Sequence, residues 1–411
     1  MFRTAISDLP TRQDSPVRER YTKLARKLTI SAIAGLFLAG CSGGLFGLGG
    51  SDSGAGGGAS SGTAPATTVG TGQVKIALLL PLSAGGQAGA TAQSLRNAAE
   101  LAISEFNNPN IQLLVQDDGG SEAGARAAAR AAIGNGAELI LGPLFSSATR
   151  AAGEVAKQQG KPVISFSTDS SVAQPGVYLL SFLPENEVDR IVRFASQQGR
   201  KSFAALIPDT PYGKAVQAAF QRSVAAVGGR VVAVENYAAD RANLQAHVQK
   251  IAGLGGQIDA LFLPDNADTL PSITQYLRNS GLDTSRVRLL GTSVWNDPRV
   301  LALPAMQGGW FAAPEVAGFN AFSRRYQAKF GTAPVRIASQ AYDAVSLAAA
   351  LVQTQGAQRF STAVLTNRAG FAGADGVFRF NTNGTNSRAL TVLEVRNNAT
   401  VTVSAAPREL R

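Results

Sequence analysis

Hydroxyl and carboxylate side chains placed just after apolar runs carry the chemistry this sequence offers. Ser146 and Ser147 follow the run Leu139–Leu141 and open an amphipathic stretch, while Ser165, Ser167 and Thr168 follow Val163-Ile164, with Asp169 beside them. Asp265, Asn266 and Asp268 follow Ala260–Leu263, and Tyr212 stands in the turn Asp209-Thr210-Pro211-Tyr212-Gly213. Groups of these types hold a polar solute through hydrogen bonds. A helix beginning at Ser146 adds free N–H groups and a dipole that favour a carboxylate, although N-capping alone also accounts for a serine there. Asp265 and Asp268 suit an amine. Tyr212 either closes over a solute or packs its own turn. Ser83 to Gln87 are expected to rim the same cleft, and Trp295 and Asn296 to supply a wall.

Catalysis has little to work with. The 411 residues hold one histidine, His247 in the amphipathic segment Leu244–Ala252, and one cysteine, Cys41. No Ser-His-Asp set and no metal-ligand cluster can be assembled from them, so no catalytic residue, metal or cofactor is expected. Gly85-Gly86-Gln87-Ala88-Gly89 follows a strand but lacks the GxGxxG spacing of dinucleotide sites. The formal charge is +10, of which the +6 carried beyond residue 41 is spread out without basic runs and with little aromatic interleaving, which argues against nucleic-acid binding.

These residues need rigid elements behind them, and the pattern supplies them. Val74-Lys75-Ile76-Ala77-Leu78-Leu79-Leu80 reads as a buried strand. After it, strands at Ile111–Gln116, Leu139–Leu141 and Val163-Ile164 alternate with helices at Thr91–Phe106, Glu122–Ile133 and Ser146–Gln159. The rhythm resumes with strands at Phe203–Ile207, Val231–Val234, Ala260–Leu263 and Arg288–Leu290, and helices near Tyr212–Val227, Leu244–Ala252 and Ala267–Asn279. Such alternation gives parallel sheets with right-handed crossovers. Two blocks, 74–182 and 203–312, predict an α/β chain of two doubly wound lobes with a cleft between them. Two helices, Phe319–Phe330 and Ser339–Thr354, follow. Gly376–Phe380, a turn at Asn383-Gly384, and Thr391–Val395 then read as a hairpin.

The N-terminus has a different character. Arg18, Arg20, Lys23, Arg26 and Lys27 precede an apolar stretch from Leu28 to Leu38, which ends in Leu38-Ala39-Gly40-Cys41. This is the layout of an export signal, too short to span a bilayer. Its last four residues resemble the lipobox of bacterial lipoproteins, which implies lipidation of Cys41 and cleavage before it. Residues 42–72, nearly all Gly, Ser, Ala and Thr, read as a disordered tether averaging roughly 30 Å between its ends.

Seven motifs in order resemble the leucine/isoleucine/valine-binding-protein family, the type I periplasmic binding proteins. They are Val74–Ser83, Asp117-Asp118, Gly142–Thr149, Lys161–Ser165, Asp209–Gly213, Gly228–Val232 and Ala341–Val345. The resemblance implies two Rossmann-like lobes joined by a three-crossover hinge, with crossovers near Pro184, Pro314 and the 380s. Lobe one is then about 74–184 and 315–380, and lobe two about 185–314 and 381–405. The binding domain as a whole is 73–396, and 397–411 a tail. It implies further that Ser146 holds a ligand α-carboxylate, that Ser165, Ser167 and Thr168 add carboxylate and amine contacts, and that Tyr212 closes over the ligand. The acidic residue that pairs with the ligand ammonium in branched-chain receptors aligns near Thr269, one step from Asp268.

Two functions fit that resemblance. The first is a membrane-anchored receptor facing the periplasm, which closes on a small polar ligand, an amino acid or amide-like solute, and presents it to the permease of an ABC importer. The second is an outer-membrane lipoprotein that activates a peptidoglycan-synthesising penicillin-binding protein. Ser42, next to Cys41, lacks the acidic character associated with inner-membrane retention, so the outer membrane is the expected address.

Overall fold

The sheets form where aliphatic residues run without alternation, because helices cover both of their faces. A computed structural model describes residues 67–410, so the segment read as an export signal, Cys41 and the expected tether up to residue 66 lie outside the described residues. The first pass of the chain comprises β1 (Thr67–Val69), β2 (Val74–Leu80), α1 (Gly86–Glu105), β3 (Ile111–Asp117), α2 (Glu122–Gly134), β4 (Leu139–Leu141), α3 (Ser146–Gln158), β5 (Val163–Ser165) and β6 (Val177–Leu179). They make a six-stranded sheet of order β1-β3-β2-β4-β5-β6, parallel from β3 to β6. β1 pairs antiparallel with β3, so residues read as the end of the tether are an edge strand.

The chain then crosses over. The second pass comprises α4 (Pro184–Gln197), β7 (Ser202–Pro208), α5 (Pro211–Ala226), β8 (Arg230–Tyr237), α6 (Leu244–Ala252), β9 (Ala260–Phe262), α7 (Leu270–Asn279), β10 (Arg288–Gly291), α8 (Pro298–Leu301) and β11 (Trp310–Ala313). It returns to the first lobe with α9 (Val316–Phe330), α10 (Ala338–Thr354) and α11 (Thr362–Leu365). The small antiparallel sheet β12 (Phe371–Gly373), β13 (Gly376–Phe380) and β14 (Asn386–Arg388) follows. A last crossing brings β15 (Thr391–Arg396) and β16 (Ala399–Ser404) to the edge of the second sheet, whose order is β16-β15-β11-β10-β9-β7-β8.

Packing explains the layers. The faces of α2 and α3 turned to the first sheet are alanines, Ala125, Ala128, Ala129, Ala132, Ala148, Ala151, Ala152 and Ala156, which let these helices lie close to it. On the other face α1 and α10 meet through Leu95, Ala98, Ala102, Ala341, Ala344 and Ala348.

Three readings from the sequence need correction. Gly376–Phe380 does form a hairpin around Asn383-Gly384, but its partner is β14; Thr391–Arg396 instead pairs with β11 and β16 in the other lobe. Apolar alternation identifies a strand and not its sheet, so it pairs these two segments, whereas the family resemblance puts a crossing in the 380s; the chain crosses between Arg388 and Thr391. Residues 399–404, read as tail, are strand β16. Trp295 is no wall of the cleft: it has no exposed surface, and its Nε1 donates to the Leu263 carbonyl at 2.9 Å.

Trp295 also dictates its neighbour. Gly291 ends β10 beneath the indole, and a Cβ there would lie 2.1 Å from the ring. Because the ring is hydrogen-bonded in place, Gly291→Ala is expected to cost about 1–3 kcal/mol. A lowered urea midpoint checks this; an unchanged midpoint would show that the ring can yield.

Candidate ligand-binding site

Polar residues beyond the carboxyl ends of parallel strands face the crevice where such folds hold ligands. In the second lobe they enclose a cavity of about 450 Å³. Its walls come from the last residues of β7 and β8 (Pro208 and Tyr237), from the loop after β9 (Pro264 to Asn266, Asp268 and Thr269), from Thr210 and Tyr212 at the start of α5, and from Val294 after β10. Local sequence fixes this geometry: Thr210 caps α5 by accepting from the Gly213 N–H, and Pro211 opens the helix. Tyr212 is thereby aimed across the strand ends, where its hydroxyl meets Thr292 Oγ1 at 2.8 Å.

The cavity contains unused hydrogen-bonding capacity. Asp265 is 8% exposed; its Oδ1 accepts from the Asn266 N–H at 2.8 Å, and its Oδ2 has no partner among the described residues. Burial raises its carboxyl above the usual range, against the pull of the Asn266 N–H and the Thr269 hydroxyl. The Tyr237 hydroxyl, also buried, is likewise unpartnered among the described residues. Asp268 differs, being exposed and paired with Arg299 at 2.9 Å. Burial, first, and the nearby Glu187 charge push the Tyr212 phenol well above its ordinary value, so it stays a neutral donor or acceptor.

The first lobe brings its serines to the same edge of its own sheet, but their hydroxyls are unequally free. Ser165 is fully buried, with Oγ 2.7 Å from Thr149 Oγ1 and 3.1 Å from the Pro143 carbonyl while accepting from the Ser167 N–H. Ser167 is nearly buried and accepts from the Asp169 N–H. Thr168 is exposed, and Ser146 and Ser147 are half-buried in the first turn of α3. Beside Ser146 stands a carboxylate of the chain itself. The Ser171 hydroxyl, foremost, together with the Ser171 N–H, the Ser146 hydroxyl and the Arg150 charge hold Asp169 below the usual carboxylate range.

Two apolar side chains complete the picture. Phe145, preceding α3, and Val294, after β10, are among the few large hydrophobic residues left exposed, one at the strand ends of each lobe. Within the second lobe, Glu187 near the start of α4 accepts from the Ser293 N–H at 2.8 Å and from its hydroxyl at 2.7 Å. Burial raises its carboxyl to about 7, against the pull of Ser293 and the charge of Arg336. The cavity thus gathers Tyr212, Asp265 and Asp268, whereas Ser146, Ser147, Ser165, Ser167 and Thr168 belong to the opposite lobe. The sequence reading missed Tyr237 and Glu187. Tyr237 would have been found had the strand at Val231 been followed to its true end; Glu187 lies in a helix that periodicity had not revealed.

Two lobes of parallel sheet with helices on both faces, joined by three crossings and bearing polar groups at their strand ends, define the type I periplasmic binding protein fold. The chain belongs to the periplasmic binding protein family, whose model matches residues 73–400. Among solved structures it is similar to a candidate branched-chain amino acid ABC transporter from Rhodospirillum rubrum, at 23% identity and a TM-score of 0.70, over 80% of this chain and 99% of that one. It is also similar to an ABC transporter substrate-binding protein from Desulfitobacterium hafniense in complex with Leu, at 18% identity and a TM-score of 0.59, over 80% and 99%. A third is a solute-binding protein from Rhodopseudomonas palustris BisB5 in complex with 3,4-dihydroxybenzoic acid, at 21% identity and a TM-score of 0.56, over 82% and 98%. An uncharacterized protein of Rickettsia prowazekii is 20% identical over 223 residues, 52% of this chain; the match spans only 59% of that relative's length.

The buried Glu187 gives stability a pH dependence of known sign. Its folded-state pKa, raised from 4.5 to about 7, means the folded protein binds a proton that the unfolded chain has released. Its contribution is full below about pH 4.5 and is lost as pH rises through 7, a change of roughly 3 kcal/mol. Glu187→Gln is expected to flatten the decline in unfolding free energy between pH 5 and 8. Denaturant titrations at both pH values check it, and an equal decline in the variant contradicts it.

Proposed function

We propose that this protein is a receptor that closes its two lobes on a small polar solute, an amino acid or amide-like molecule, and presents it to the permease of an ABC importer. The observation that carries this reading is the second-lobe cavity with Asp265 Oδ2 and the Tyr237 hydroxyl unpartnered in its wall. A buried acceptor left unsatisfied costs about 1–3 kcal/mol, so a ligand N–H or O–H that reaches it gains that much. Closure would also cover Phe145 and Val294. The relatives named for amino-acid transport or bound solutes support the same reading.

The anchor belongs to the proposal as well. Lipidated Cys41 would tether the receptor to the membrane on the periplasmic side, and Ser42 favours the outer membrane. That address gives weight to a second reading, an activator of a peptidoglycan-synthesising penicillin-binding protein, because an outer-membrane protein reaches the cell wall more readily than an inner-membrane importer.

Calorimetric titration of residues 61–411 with amino acids, their amides and aromatic acids is expected to show micromolar binding of at least one solute. Asp265→Asn should weaken an amine-bearing ligand at least tenfold. Absence of binding across the panel, with capture of a penicillin-binding protein, would favour the activator. Cys41→Ser is expected to move the full-length protein from the membrane to the soluble fraction; continued membrane association would contradict the anchor.

A further inference from the structure

The second-lobe cavity carries opposite charges that do not meet. Three charged residues line it: Arg241, from the loop between β8 and α6, and Asp265 and Asp268 from the loop after β9. Asp268 is already paired with Arg299 at 2.9 Å. Asp265 is buried with Oδ2 unpartnered, and the Arg241 guanidinium meets no acceptor among the described residues. Arg241 and Asp265 are therefore the two charged groups of the wall left open.

The loop fixes where Arg241 begins. Its N–H donates to the Ala238 carbonyl at 2.8 Å, its carbonyl accepts from the Leu244 N–H at 3.2 Å, and Asp240 Oδ1 accepts from the Ala242 N–H at 2.9 Å. Arg241 takes a φ of 65°, a left-handed conformation that glycine or asparagine enters more readily than arginine. The turn itself has no use for a long cationic side chain; what the side chain adds is a charge in the cavity wall.

The two open groups also differ in depth. Asp265 is 8% exposed, whereas Arg241 is exposed. A ligand bridging them presents its hydrogen-bond donor inward, to Asp265, and its anion outward, to Arg241. A guanidinium matches a carboxylate with two parallel hydrogen bonds, and closure of the lobes would exclude water from that pair and strengthen it.

We infer that Arg241 is the anion-recognising residue of the cavity, and that the second lobe by itself holds an amino acid as a zwitterion, ammonium on Asp265 and carboxylate on Arg241. The inference rests on the receptor reading and specifies its ligand, a small molecule with a cationic and an anionic end, and the lobe that captures it.

Leucine, serine and phenylalanine, each titrated into the full-length protein beside its amide and the analogue lacking the amine, test it. The amino acid that binds best should bind Arg241→Gln about tenfold more weakly or worse, while its amide, which has no carboxylate, should bind weakly to the unaltered protein and no differently to that variant. Asp265→Asn should weaken amino acid and amide alike, and Ser146→Ala should leave the amino acid's affinity within about threefold. Amino-acid affinity unchanged in Arg241→Gln, an amide that loses as much as the amino acid there, or a larger loss in Ser146→Ala would overturn the role of Arg241 and leave the receptor standing. An analogue without the amine that binds as tightly as the amino acid would overturn the zwitterion. Absence of binding by every compound would overturn the receptor reading, and this inference with it.

Discussion

Everything in this architecture depends on passing the chain between two sheets three times without stranding polar backbone where no ladder reaches. Two neighbouring side chains of the last crossing solve this for the first. Asn386 Nδ2 donates to the carbonyls of Leu179 and Ser181, both at 2.8 Å, and its Oδ1 accepts from Asn186. Arg388 donates from Nε to the Ser181 carbonyl at 3.1 Å, its guanidinium lying near the rings of Phe182 and Phe378. At 6% exposure both Nη atoms of this cation lack a hydrogen-bond partner among the described residues, and the nearby charges of Asp343 and Asp375 offset part of the cost of burying it. The first and third crossings are thereby tied together, and the carboxyl ends of both sheets share one hinge.

The functional groups follow from that constraint. Parallel strands must place their carboxyl ends on one side, so each lobe presents its loops there: Ser146 to Asp169 from one, Tyr212 to Val294 from the other. The second lobe keeps Asp265 and Tyr237 underused inside a cavity, while the first uses its serine hydroxyls largely to brace its own loops. Near the crossings Arg336 is anchored by the buried Asp375 and lies against the rings of Phe182 and Phe319.

Much of this was legible in the sequence. Uninterrupted runs such as Val74–Leu80 announced parallel strands because burial on both faces erases alternation, and the position of Asp265 after such a run put it at a strand end, where the structure has a cavity. What stayed hidden depended on tertiary partners. The strand partner of Gly376–Phe380 was one such feature: alternation pairs it with Thr391–Val395, because the two residues between Arg388 and Thr391 carry no punctuation to mark the crossing. Ser165 has the composition of a contact residue, and only the approach of Thr149 and Pro143 shows its hydroxyl to be occupied. Arg336 sits in a polar link that resembles any solvated loop until Phe182, distant in sequence, is brought against it.

As proposed, the two lobes close on a solute at their shared strand ends. Small-angle X-ray scattering of residues 61–411, with and without a saturating solute identified by titration, tests it most directly. A smaller radius of gyration is expected in the bound state, as the lobes approach and cover Phe145 and Val294. A radius of gyration unchanged at saturation would contradict it.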